Sequence, residues 1–176
     1  NAFKINEDVV IPLPRMAEYT DGIERINIEL SLRNKIALCD ELAAFFSRGD
    51  LPLGQQDDAA GIASAELLED RVAQALEVVQ DVRALWQGWL QDVATLFPQL
   101  QDHTLRASWK TQIRDPLATI FTGAAFQPIM DACTGMHQRV LKGRVWVALH
   151  MHAGDGNVHT NIPVNSDNYE MLQTAH

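Results

Sequence analysis

The sequence predicts an α+β fold, a small antiparallel sheet with a large helical insertion. Three observations predict it. A short β-branched run, Val9-Val10-Ile11, stands near the start; helical periodicity fills the middle; and two β-rich runs flank an Asp-Gly pair near the end. The sheet is expected from about residues 7–12, 144–152 and 157–164, and the insertion from about 30 to 140.

The first strand is ended by Pro12, and Pro14 suits the first turn of a helix. Met16, Tyr19, Ile23, Ile26 and Leu30 then recur at helical spacing. That stripe blurs at Arg33-Asn34 and resumes at Ala37, Leu38, Leu42 and Phe45, so one long helix and two shorter ones both fit. Gly49 to Gly61 reads as a loop, with Pro52, Gly54 and a polar Gln55-Gln56-Asp57-Asp58 stretch.

The longest stripe runs through Leu68, Val72, Leu76, Val79, Trp86, Leu90, Val93 and Phe97, broken only by Arg83. One helix is expected from Ser64 or Ala65 to Pro98, packed on the helix or helices of 14–46 along an apolar seam. Leu105, Trp109 and Ile113 mark a shorter helix. Asp115-Pro116 reads as cap and first turn of the next. Pro128 opens a third, with Met130, Cys133, His137 and Leu141 on one face, Lys142 at its end and Gly143 beyond. Asp167 and Glu170 form a capping pair for a final helix. That helix has barely started at His176, as expected of a segment of something larger.

The 176 residues fit one domain, and 47% apolar content supplies a core. With 14 Lys plus Arg against 23 Asp plus Glu, the formal net charge is −9. A field of that sign repels phosphate backbones and anionic lipid surfaces, so no nucleic-acid partner is expected. No apolar run approaches the roughly 20 residues of a membrane span, and no signal peptide is visible. Cys39 and Cys133 have no C-x-x-C spacing and read as buried free thiols of a reducing compartment. A cytoplasmic protein is expected.

Of the six histidines, His103 reads as a solvated loop residue, His137 as a core residue and His176 as terminal. The other three lie in His150-Met151-His152-Ala153-Gly154-Asp155-Gly156-Asn157-Val158-His159-Thr160-Asn161. Asp-Gly between β-rich runs signals a hairpin, because the turn needs positive φ. With Asp155 and Gly156 as a two-residue turn, paired residue numbers total 311. His152 then stands opposite His159, and His150 opposite Asn161. One face carries His150, His152, His159 and Asn161; the other carries Val147, Leu149, Met151, Val158, Thr160 and Ile162. Two imidazoles at cross-strand distance can hold one divalent metal. A solvated polar face is the alternative. The stretch lacks the acidic ligands of an EF-hand and is no dinucleotide fingerprint.

His152 to Asn161, as His-x-Gly-Asp-Gly-Asn-x-His-x-Asn, resembles the signature of FAD-linked oxidases of the vanillyl-alcohol oxidase superfamily. These include D-lactate, D-2-hydroxyglutarate and glycolate dehydrogenases. Phe3 to Pro12 is similar to the strand with which that family enters its substrate (cap) domain. The similarity is greatest to large bacterial members that join the flavin unit to an iron–sulfur region.

The resemblance implies a ferredoxin-like cap in which His152 and His159 are metal ligands, with zinc the expected metal. It also implies that Asn161 contacts the substrate carboxylate, that Lys4 does so with Asn6 as competitor, and that His150 adjoins the substrate. A glutamate third ligand and a histidine base are implied beyond residue 176. FAD and any iron–sulfur cluster would belong to other parts of the parent, so the segment alone would be inactive. Its partners would be a small 2-hydroxy acid and the FAD-binding domain of the same chain. A non-catalytic helical interaction module is the other reading of the sequence.

Overall fold

In the computed structural model of the chain, the backbone is described for residues 8–10, 15–54, 61–143, 148–152 and 157–161, and side chains for 15–54 and 65–143. The architecture is helical, which corrects the expected α+β class. Over the residues with described side chains, 83% are helical and none lies in a strand.

The reason is one of length. The β-rich runs yield strands of only 3, 5 and 5 residues: β1 (Asp8–Val10), β2 (Ala148–His152) and β3 (Asn157–Asn161). They pair antiparallel in the order β1-β3-β2. Residues 7, 11–12, 144–147 and 162–164 of the expected strands lie outside the described residues, as does the helix expected from Asp167. Helices α1 (Met16–Phe46) and α2 (Gly61–Gln91) span 31 residues each. Strands this short present little apolar face, whereas the helical stripes can close a core by themselves.

The chain divides into two compact units. One comprises Asn1–Arg33, Asp92–Leu105 and Lys142–His176; the other comprises Asn34–Gln91 and Arg106–Leu141. The sequence stripe blurs at the same place, Arg33-Asn34. Helix α1 nevertheless continues unbroken through that point.

In the first unit, Met16 and Leu32 of α1 are buried, as are Val93 and Leu100 of α3 (Val93–Gln101). Gln101 on α3 donates its side-chain amide to Asp21 (3.2 Å) and Glu24 (2.7 Å) of α1. The expected single helix ending at Pro98 is corrected here. The stripe breaks at Asp92 (φ −102°, ψ 22°), and Pro98 lies inside α3. Pro98 removes only the bond to the carbonyl of Ala94, four residues earlier and in the first turn of α3, so the helix runs on past it. The start is corrected too: α2 begins at Gly61.

The second unit holds most of the buried apolar side chains. Leu38, Cys39, Leu42, Phe45 and Phe46 of α1 are buried, with Ala75, Val79 and Trp86 of α2. Arg83 Nε donates to Asp40 Oδ1 at 2.6 Å, tying α2 to α1. Leu76, expected in the seam, is only half-buried, while its neighbour Ala75 is fully buried.

A π-helical turn (Lys110–Arg114) leads into α4 (Asp115–Ile120). The N–H of Asp115 reaches back five residues to the carbonyl of Lys110, and Pro116 has no N–H to donate. Pro116 stands in the first turn as expected, but the N-cap is Arg114, without a side-chain cap, and Asp115 is the first residue of the helix rather than its cap. Phe46 stacks on Phe121 (centroids 5.6 Å), which meets Phe126 edge-on (5.7 Å). Helix α5 (Gln127–Lys142) buries Ile129, Met130, Cys133 and Met136. Leu141, expected on that face, is 46% exposed. Gly54 N donates to Ala125 O at 2.8 Å, and a Cβ on Gly54 would stand 2.7 Å from Ala124 O. Only glycine permits that approach.

Candidate functional site

The histidine-rich motif is carried by β2 and β3. Valine, leucine, methionine and threonine alternate there with the polar residues, a pattern of period two that suits extended chain. The register pairs Ala148 with Asn161, Leu149 with Thr160, His150 with His159, Met151 with Val158, and His152 with Asn157. This corrects the expected pairing. His150, not His152, stands opposite His159, and Ala148, not His150, stands opposite Asn161.

The physical reason lies in loop length. Asp-Gly signals a reversal of the chain but does not compel a two-residue turn; four-residue connections also join antiparallel strands. The last pair is His152–Asn157, and residues 153–156 lie outside the described ones. The offset is two residues, so the alternation of positions is unchanged. His150, His152, His159 and Asn161 occupy register positions of one parity.

Sequence reasoning did not foresee the partner on the other side of β3. Strand β1 pairs Asp8 with His159, Val9 with Val158 and Val10 with Asn157. Asp8, His159 and His150 therefore form one register row across three strands. A β-branched run near a proline signals a strand, but no local pattern names the residue it will face. Lys4 and Asn6, the candidates for the substrate carboxylate, lie outside the described residues.

The remaining described histidines, His137 and His103, lie outside the motif. His137 on α5 stacks on Trp109 with centroids 4.5 Å apart and planes within 9°. Burial, and then the charge of Lys35, holds its imidazole below the usual histidine range. His103 has positive φ (66°) in the exposed turn after α3. Among the residues with described side chains, no group of three or more His, Cys, Asp or Glu could hold a metal ion. Cys39 and Cys133 are buried free thiols, which agrees with their expected role.

A cavity of about 330 Å³ in the second unit is lined by Phe46, Gly49, Leu51, Ala65, Leu68, Glu69 and Val72. Its walls are almost wholly apolar, and Glu69 is the single ionisable side chain among them. It offers shape but no acid–base pair or ligand set.

Among the described residues, no helix is long and apolar enough to cross a membrane. In comparisons with known proteins, no family model, no curated protein and no solved structure matches this chain.

Proposed function

We propose that this chain is the substrate-side part of an FAD-dependent dehydrogenase of D-2-hydroxy acids, of D-lactate, D-2-hydroxyglutarate or glycolate type. The observation that carries the reading is the ten-residue motif His152 to Asn161, whose His152, Asn157, His159 and Asn161 occupy register positions of one parity on two directly paired strands. In this reading His152 and His159 hold a divalent metal, zinc by donor chemistry, while Asn161, with His150 and Lys4, receives the substrate carboxylate.

The donor types fit such a metal. Neutral imidazoles and carboxylates are the usual protein ligands of open zinc sites. A bound metal acts as a Lewis acid on the substrate hydroxyl, and FAD, held by another part of the parent, supplies the redox chemistry. The chain's own task is to bind and orient a small hydroxy acid.

The test is steady-state kinetics on the dehydrogenase that contains this chain. His152→Ala and His159→Ala should each abolish turnover of a D-2-hydroxy acid while the flavin absorbance stays. A fully active His159→Ala enzyme rejects the reading.

A helical interaction module without catalytic function is the second reading. It is favoured by one observation: most buried apolar side chains belong to the helical second unit, and none of the described buried side chains is polar or charged.

A further inference from the structure

The apolar stripe of α2 is closed along part of its length and open at one end. Ala75, Val79 and Trp86 are fully buried, whereas Leu68 and Val72, two turns and one turn before Ala75, are only half-buried. What they leave unfilled is the cavity of about 330 Å³ in the second unit. Its lining is graded by exposure. Phe46 is buried at its floor, Leu51, Leu68 and Val72 are half-buried walls, and Ala65 and Glu69 stand exposed at the rim. Ala65, Leu68, Glu69 and Val72 recur at i, i+3, i+4 and i+7, so a single face of α2 lines it. Gly49, on the chain after α1, adds no side chain, and a Cβ there would meet nothing within 4 Å.

The charge at this rim is of one sign. Glu69 has no ion-pair or hydrogen-bond partner among the described residues. Two arginines adjoin lining residues in sequence, and both are engaged elsewhere: Arg48 pairs with Asp50 at 3.1 Å, and Arg71 donates to the carbonyl of Ile120 at 2.7 Å. Glu66 and Asp70, in the same stretch of α2, are exposed and add negative charge. The net charge of −9 further repels anions.

We propose that this cavity binds a compact apolar molecule bearing one ammonium group, with the apolar body against Phe46, Leu51, Leu68 and Val72 and the ammonium at Glu69. The inference is independent of the hydroxy-acid reading. Small-molecule sites are concave and mostly apolar, from about 300 Å³ upward, with a few polar groups that fix orientation. Removing apolar surface from water supplies the affinity. Because Glu69 is exposed, the ammonium keeps its hydration and escapes the cost of burying a charge. The carboxylate therefore selects among ligands more than it tightens them, since an exposed ion pair contributes little.

The experiment is a methyl NMR titration of the whole 176-residue chain, following Leu68 and Val72. The probes are a trio matched in shape: cyclohexylmethylammonium, cyclohexylmethanol and cyclohexanecarboxylate. The ammonium should bind saturably and about 2–5-fold more tightly than the alcohol, the factor an exposed ion pair gives. The carboxylate should bind most weakly. Glu69→Gln should remove the preference for the ammonium and leave the alcohol's affinity unchanged. Ala65→Trp, which fills the cavity from its exposed rim, should abolish binding of all three. Val72→Phe, which fills it from the wall, decides in its place if circular dichroism shows Ala65→Trp unfolded.

Absence of saturable binding, or binding that survives the filling variant, removes the cavity as a site. Equal or tighter binding of the alcohol makes the occupant a neutral apolar molecule, and tighter binding of the carboxylate makes it an anion; either overturns the ligand class. So does a preference for the ammonium that persists in Glu69→Gln.

Discussion

Trp86 donates its indole N–H to Oε1 of Gln112 at 3.2 Å, and the same oxygen accepts the backbone N–H of Ser108 at 2.6 Å. Trp86 is fully buried, so one amide oxygen satisfies an indole that water cannot reach. Gln112→Leu leaves both donors without that acceptor and should destabilise the second unit by about 1–3 kcal/mol. Gln112→Glu keeps an acceptor and should cost less. Urea denaturation followed by tryptophan fluorescence measures both, and an unchanged midpoint in Gln112→Leu refutes the assignment.

Leu42 is fully buried in the second unit, whereas Leu76 is only half-buried. Leu42→Ala should therefore destabilise by about 2–5 kcal/mol, the range for a core leucine. Leu76→Ala should fall clearly below it. Thermal unfolding of the two variants side by side gives the ranking, and equal losses would show that the seam runs through Leu76 after all.

His137 gives the second unit a pH dependence of known sign. Burial and the charge of Lys35 depress its folded pKa, so the unfolded chain takes up a proton more readily than the folded one. Its contribution is present above the unfolded value of about 6.5 and is lost as pH falls from there through the folded pKa. Urea midpoints at pH 7.5 and pH 5.5 should differ more in the wild type than in His137→Gln. A His137→Gln chain with the full wild-type dependence would show that another group titrates.

Both thiols should resist alkylation in the native state. Burial, reinforced by the negative charge of Asp40, pushes Cys39 up to about 12, and burial alone does the same for Cys133. The thiolate is the reactive form, and at pH 8 it is almost absent. Iodoacetamide should label neither residue at pH 8 until urea unfolds the chain, when mass spectrometry should find two additions. Rapid native labelling of either thiol contradicts this.

How far the sequence was legible depends on the range of the interaction. Helix positions followed from apolar spacing and from Pro116 and Pro128, which act within a turn or two. The break at Asp92 did not, because Leu90, Val93 and Phe97 keep their helical spacing across it. Nor was Leu76 separable from Ala75, since a stripe wide enough for a core admits both. The candidate site divides in the same way. The parity of His150, His152, His159 and Asn161 is local and survives a two-residue slip, whereas the pairing of His150 with His159 depends on the connection between the strands. The place of Asp8 beside His159 joins residues far apart in the chain, and nothing within either segment encodes it. Fold class failed for a related reason: β-rich composition marks where strands form, not whether they are long enough to organise a core.

The hydrogen bonds of the second unit have a consequence for the order in which it folds. Trp86 with Gln112 spans 26 residues, Arg71 Nη1 with the carbonyl of Ile120 spans 49, and Gly54 with Ala125 encloses both. The three links are nested like brackets. Each inner link shortens the free chain the next must close and so lowers its closure entropy, and on this geometry the unit can zip outward from Trp86. Gln112→Leu should therefore act mainly on the folding rate. On that order Gly54→Ala, at the outermost bracket, should act mainly on the unfolding rate.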